Sequence, residues 1–363
     1  MTNTNETVPY YSYRRVLSYN GIYNFCVGGR GIGKTYGAIK MAIRDYFKRG
    51  EQFIYLRRFE DEITAAKSTF GASLALEFPG KEFRVRGDYY EVVIKETGGE
   101  VNPKTGRKSA IHKEWAVIGY FRVLTKAQAQ KSTEFPRVTK IIFDEFIIEK
   151  GFQRYLPDEH IAFNNFYSTV ARRRSNVRVF FLANSVSIGN PYFDEYDIRP
   201  DQMKEITGMN HVFDYDLGVK RPFIVVHLID SERFQEATYK TVFGQFIKGT
   251  DYAKYAVENN FSDNHAQLIN GKTPSAKYKF TLETAGGTFS VWYDYPIQTF
   301  FILSRREKQE LLLTMVRENM SDNKKYVKKN DPVLANLRAH FDSARVFFDK
   351  QRTRNAFVKV LNR

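Results

Sequence analysis

The sequence predicts an α/β protein: a first domain built on a central, mainly parallel sheet, then a helical linker and a smaller α+β domain. Three observations lead there. Apolar runs of strand length recur between helical patterns as far as Asp230, the rhythm of a sheet covered by helices. Residues 28–35 read Gly-Gly-Arg-Gly-Ile-Gly-Lys-Thr and sit between one such run and a helical pattern. After Asp230 the texture changes to helical stretches, then short alternating runs, then basic helical patterns. These observations place a first domain at 1–230, a linker at 231–262 and a second domain at 263–363.

Taken in order, residues 22–27 predict a first strand and 34–49 a helix. Residues 53–58 (FIYLRR) predict a second strand. Residues 83–95 and 114–125 read as antiparallel strands added to the sheet, joined by a Gly- and Lys-rich loop at 98–108. The short, fully apolar runs 140–143 and 177–183 are expected as buried central parallel strands. A helix is expected over 159–174 and a last strand over 223–229. Beyond that, helices are expected at 232–247 and 252–259, hairpin strands at 278–282, 289–293 and 299–303, and basic helices at 305–320 and 332–346.

Residues 28–35 fit G-x-x-x-x-G-K-[ST] in the strand–loop–helix context that its mechanism needs. Glycines at 28, 29, 31 and 33 let the backbone curl its N–H groups inward around a phosphate, with Arg30 and Ile32 between them. The following helix N-terminus, from Lys34 through Tyr36, adds its dipole. Lys34 then spans the β- and γ-phosphates of ATP, and the Thr35 hydroxyl binds Mg²⁺. The run Ile-Ile-Phe-Asp144-Glu145 is the matching second half. A buried strand ending in two acids sets them at the carboxyl edge of the sheet, where α/β folds hold ligands. Asp144 is expected in the Mg²⁺ shell and Glu145 as the general base that activates water.

Asn184, ending the next apolar strand, reads as a γ-phosphate sensor or as a simple strand-end turn residue. Arg172, Arg173 and Arg174 close the preceding helix. One reading is an arginine acting in a neighbouring subunit's site; others are a basic helix C-terminus or a polyanion contact. Lys131 is a weaker candidate for a second such cation. Arg57 and Arg58 read either as phosphate ligands within the chain or as strand-edge ion pairs.

The formal charge is +15, and over half of the excess lies in residues 305–363, with 15 basic and 7 acidic side chains. A polyanion partner fits that distribution; a soluble basic protein is the plain alternative. Lys104, Arg107, Lys108 and Lys113 in and beside the Gly-rich loop are candidate nucleic-acid contacts. The lone Cys26 excludes a disulfide framework. No run approaches the ~18 apolar residues of a membrane span, and the N-terminus lacks a secretory leader's pattern, so a soluble intracellular protein is expected.

With these residues in hand, the chain resembles the DNA-packaging ATPases (encapsidation proteins) of small tailed phages of the phi29 type. Those are ring-forming ASCE P-loop translocases related to terminase motors and to the FtsK/HerA class. The matching stretches are GGRGIGKT (28–35), FIYLRR (53–58), IIFDEF (141–146), ARRR with VRVFFLAN (171–184), and IKGTDYAKYAVENNFSDN (247–264). The resemblance implies a homo-oligomeric ring, usually a pentamer, in the host cytoplasm and at the portal vertex of an empty capsid, threading double-stranded DNA inward with no membrane involved. It implies that Arg30 senses nucleotide and that one of Arg172–Arg174 acts in trans. It also implies that the second domain is an RNase H-like fold stripped of its catalytic acids, docking to the portal or a scaffold RNA. In keeping with that, no carboxylate after residue 262 emerges from the centre of an apolar strand, as the first ligand of a two-metal nuclease would. Alternatives to a motor are a terminase-like ATPase with an active nuclease, an ATP-switched nucleic-acid-binding protein, and a small-molecule kinase.

Overall fold

The computed structural model describes residues 10–100, 108–130, 133–148, 155–184, 190–196, 198, 209–213, 223–229, 232–250, 252–253, 257, 270–284, 286–304, 311–328, 330–343 and 345–362. The chain divides into two compact units, Met1–Ser262 and Asp263–Arg363. Among the described residues no helix is long and apolar enough to cross a membrane.

The first unit contains α1 (Arg14–Ser18), β1 (Tyr23–Gly28), α2 (Lys34–Arg49), β2 (Gln52–Arg57), α3 (Glu60–Thr69), β3 (Phe83–Arg86), β4 (Tyr89–Thr97), β5 (His112–Val123), β6 (Val138–Asp144), α4 (Glu159–Ala171), β7 (Arg178–Asn184), α5 (Pro191–Glu195), β8 (Met209–Phe213), β9 (Ile224–Leu228), α6 (Glu232–Tyr239) and α7 (Val242–Ile247). Its sheet has the order β3-β4-β5-β2-β6-β7-β1-β9-β8. The run from β5 to β9 is parallel throughout, and antiparallel strands close each end. Every residue of β1 and of β6 is buried, as parallel strands covered on both faces must be.

Alternation along the strands divides the core between two faces. Phe25 and Val27 join one cluster, with Phe163 and Phe166 of α4. Cys26 joins the other, with Ala38, Ile39, Ala42 and Ile43 of α2. Those four recur at the three- and four-residue spacing of one helix face. Phe25 and Phe181 stack across the β1–β7 pair with centroids 4.2 Å apart; burying each such ring stabilises the fold by about 1.5–3 kcal/mol.

The second unit comprises β10 (Lys277–Thr284), β11 (Gly287–Asp294), β12 (Thr299–Leu303), β13 (Leu312–Thr314), β14 (Lys324–Tyr326), α8 (Pro332–Asp342), β15 (Val346–Phe348) and α9 (Gln351–Asn362). Its sheet order is β14-β13-β10-β11-β12-β15. A three-strand antiparallel meander continues through its first strand into parallel β13 and β14. Only residues 304–311 join β12 to the parallel β13, fewer than the dozen or more a parallel crossover ordinarily takes. Leu334 and Leu337 of α8 and Phe357 of α9 cover one face of this sheet.

Several expected elements differ. Residues 83–95 are a hairpin, because Gly87 takes φ 57° and turns the chain between β3 and β4. The helix expected over 159–174 stops at Ala171, where Arg172 takes φ 51°. The expected helix at 232–247 is two, with Thr241 capping the second through Gly244 N–H at 3.0 Å. The helix expected at 305–320 is not formed in its described part: Leu312–Thr314 is a strand that buries Leu313 beside β10. Residues 332–346 form a helix only as far as Asp342, and α9 was not anticipated. Of 252–259 only residues 252, 253 and 257 are described.

Candidate nucleotide site

The site is assembled by strand order. Because β7 lies between β1 and β6, Asn184 ends level with Gly28, and Asp144 pairs with Leu182 two residues back. The glycine loop, the two acids and the amide thus share one sheet edge. Gly31 and Gly33 take φ 81° and 83°, a left-handed backbone that side chains disfavour. An added Cβ at Gly33 would stand 2.6 Å from the Tyr10 ring. The loop's far side is pinned by the N-terminal stretch: Tyr11 N–H donates to Ile32 O at 2.9 Å, and the Tyr13 hydroxyl donates to Lys34 O at 2.8 Å.

Lys34 is buried, with its ammonium donating to Gly28 O (3.0 Å), Gly29 O (2.7 Å) and Asn184 Oδ1 (3.1 Å). The Thr35 hydroxyl donates to both Asp144 oxygens at 3.0 and 3.1 Å. Tyr55 donates to Asp144 Oδ2 at 2.7 Å, and Arg57 Nη1 stands 3.5 Å from the same oxygen. Glu145 follows in a left-handed conformation, φ 58°, which costs a non-glycine residue about 1–3 kcal/mol. Arg57 Nη2 donates to Glu145 Oε2 at 2.6 Å. Loss of water around Glu145 pushes its carboxyl above the usual carboxylate range; Arg57 opposes that shift and the neighbouring Asp144 adds to it. A cleft of about 470 Å³ is lined by Arg30, Lys34, Thr35, Asp144, Glu145 and Asn184, with Tyr10 and Tyr36 at one side.

One hydroxyl and one carboxylate within hydrogen-bond distance form a hard oxygen donor set. It suits Mg²⁺, which takes one or two protein oxygens and fills its remaining positions with water and phosphate. The residues present therefore fit magnesium-bound nucleotide.

The three helix-end arginines differ. Arg174 donates to four backbone carbonyls: Phe135 (2.9 Å), Pro136 (2.8 Å), Val138 (2.8 Å) and Val170 (2.5 Å). Its guanidinium is committed to the fold, which removes it from the candidates for a trans-acting residue. Arg172 is exposed and paired with Glu134 at 2.9 Å, and Arg173 is exposed. All three lie where β6 begins, whereas Asp144 and Glu145 lie where it ends, about 20 Å away at the rise of a strand. None is placed to reach the chain's own phosphates.

Arg57 and Arg58 take the ion-pair reading: Arg57 with Asp144, Glu145 and Glu62, Arg58 with Glu159. Lys104, Arg107 and Lys131 lie outside the described residues. Lys108 is exposed. Lys113 is engaged by Glu82, with Glu96 at 3.5 Å, so its charge is largely offset. Sequence reasoning missed Tyr55 and Tyr13. The Tyr-rich stretch at 10–13 was its one visible signal. Among the described residues, no group of three or more His, Cys, Asp or Glu side chains is placed to hold a metal ion. In the second unit, Glu283 is paired with Lys324 at 3.1 Å.

Comparison with known proteins adds to this geometry. The family model for podovirus DNA encapsidation protein (Gp16) matches residues 6–363. The chain is 32% identical over 357 residues to the DNA packaging protein of Bacillus phage phi29, covering 98% of this chain and 97% of that protein. It is 36% identical over 279 residues to the DNA packaging protein of Bacillus phage B103, covering 77% and 76%. In three dimensions it is similar to a chain of the bacteriophage Phi-29 viral genome packaging motor assembly, with TM-score 0.71, 29% identity, and coverage of 98% of this chain and 99% of that one.

Proposed function

The chain belongs to the podovirus DNA encapsidation protein (Gp16) family, and from that premise we propose that it is an ATP-hydrolysing motor. As a homo-oligomeric ring, pentameric by analogy, it drives double-stranded viral DNA through the portal of a preformed capsid in the host cytoplasm. The observation that carries this reading is the meeting of Lys34, Thr35, Asp144, Glu145 and Asn184 at one sheet edge. The strand β7 interposed between the P-loop strand and the acidic strand supports an ASCE-type reading.

The steps follow from the residues. The inward N–H groups of the glycine loop take the β-phosphate. Phosphate oxygens replace the Gly28 and Gly29 carbonyls on Lys34, which then bridges the β- and γ-phosphates. Thr35 and Asp144 would hold Mg²⁺, which would supply neutralisation of the charge on the phosphates. Glu145 accepts the proton of the attacking water, and Asn184, already joined to Lys34, reports on the γ-phosphate. Arg172 or Arg173, on the far edge, completes the site of the next subunit. Basic side chains around Lys108 contact DNA phosphates without reading sequence. The second unit serves as a docking module for portal or scaffold RNA rather than a nuclease.

The deciding experiment is steady-state ATP hydrolysis with and without long double-stranded DNA, wild type beside Glu145→Gln. DNA-stimulated turnover that falls about 10²–10⁴-fold in the variant supports the motor and identifies the base. Turnover indifferent to DNA argues for a nucleotide switch instead.

A further inference from the structure

Arg58 and Glu159 form an ion pair with side chains 1% and 0% exposed. Arg58 Nε and Nη2 each donate to one Glu159 oxygen at 2.8 Å, a two-pronged fit of planar guanidinium to carboxylate. The same guanidinium reaches the turn that carries the two acids: Nη1 donates to Glu145 O at 3.2 Å and Nη2 to Phe146 O at 2.7 Å. Glu159 is held in turn by Leu156 N–H (2.9 Å) and the Tyr192 hydroxyl (3.0 Å). The rings of Phe143 and Tyr155 lie within cation–π distance, 5.6 and 5.1 Å from the Arg58 Cζ.

Two charges withdrawn from water this completely are not retained for stability, since apolar residues of equal volume commonly serve as well or better. What this pair holds is a left-handed glutamate. Adjacent arginines, the last residue of β2 and the first beyond it, both hold Glu145, Arg57 by its carboxylate and Arg58 by its carbonyl. We propose that the Arg58–Glu159 pair is a positioning device for Glu145, locking the strained turn so that the carboxylate faces the attacking water. It ties that turn to the first residue of α4, the helix whose other end carries Arg172. The proposal rests on Glu145 being the general base.

The test uses the full chain with magnesium ATP and double-stranded DNA, in four variants: Arg58→Lys, the apolar pair Arg58→Met with Glu159→Leu, Glu145→Gln, and Arg58→Lys combined with Glu145→Gln. Lysine keeps the charge but not the planar fork. Arg58→Lys is expected to lower kcat on the order of 10²-fold, while KM and affinity for a non-hydrolysable ATP analogue change less than about threefold. The apolar pair is expected to remain folded, melting somewhat lower because Glu145 O, Phe146 O, Leu156 N–H and the Tyr192 hydroxyl lose their partners, and to turn over as slowly as Arg58→Lys. In the Glu145→Gln background Arg58→Lys adds no further loss, because the group it positions is gone. A folded apolar pair with wild-type kcat overturns the proposal, as does a loss of kcat matched by an equal loss of nucleotide affinity. Full turnover in Glu145→Gln instead removes the premise, a separate failure visible in its own arm.

Discussion

As the proposed general base, Glu145 would have to be ionised to take a proton, and its surroundings pull it both ways: desolvation raises its pKa, and Arg57 at 2.6 Å holds it down. Removing the cation lets the carboxyl rise further, so in Arg57→Met the acid limb of the kcat/KM profile moves to higher pH. A profile that stays in place would show that Arg57 does not govern the base. The neighbouring arginines at the helix end separate by a similar logic. Arg174→Ala leaves four carbonyls without their donor and is expected to cost about 1.5–3 kcal/mol in thermal or denaturant melts. Arg172→Ala gives up one exposed ion pair, worth no more than ~1 kcal/mol, and is expected to melt like wild type while losing turnover in the assembled ring. At this scale the phosphate loop was legible because its signal is spacing within eight residues. Tyr55 and Arg57 were not legible as partners of Asp144 and Glu145, because a contact across 89 or 88 residues exists only once strand order and register are fixed.

Among the elements, β9 carries a pH-sensitive side chain into the core. His227 is buried beside Tyr11, whose hydroxyl meets its Nδ1 at 2.7 Å. Burial, with the Arg15 charge adding to it, pushes its pKa down to about 4. The unfolded chain therefore binds a proton near pH 6.5 that the folded chain refuses until about pH 4. Stability contributed above pH 6.5 is lost as pH falls through that window, by up to about 3 kcal/mol. His227→Gln should flatten the slope of melting temperature against pH between 6.5 and 4; an unchanged slope would place the sensitivity elsewhere. Strands covered on both faces were the easiest elements to read, since β1, β6 and β7 are nearly unbroken apolar runs. Leu312–Thr314 was misread as helix because a charged stretch with three leucines has good helical propensity. Burial of Leu313 beside β10 overrides it, a decision made by tertiary packing rather than local sequence.

Across the whole molecule, two units each with their own core should respond to ligand and mutation separately. If the proposed site binds magnesium ATP, the nucleotide should raise the transition of the first unit by RT ln(1 + [L]/Kd). Leu337→Ala, at a fully buried position of α8, should cost the second unit about 2–5 kcal/mol. Calorimetry is expected to show that substitution lowering one transition while the ATP-sensitive one stays put; a single merged transition moved by both would contradict independent units. The chain divides between Ser262 and Asp263 rather than at the change of sequence texture near residue 230, so the stretch 231–262 read as a linker falls within the first unit. The meander of the second unit was visible in the sequence, but not the strands β13–β15, which are three residues long and have no periodicity to read.

One buried side chain has a practical consequence for watching such a machine at work. Cys26 is the sole cysteine of the chain, fully buried on β1, with its thiol pushed up to about 12 by burial against the opposing pull of Tyr11 and Lys34. At neutral pH it offers neither thiolate nor access to a maleimide dye. A cysteine introduced on the exposed face of α2, as in Lys48→Cys, would then be the single labelling handle on each subunit. A fluorophore can be placed there, with the native thiol left undisturbed in the strand beneath the nucleotide.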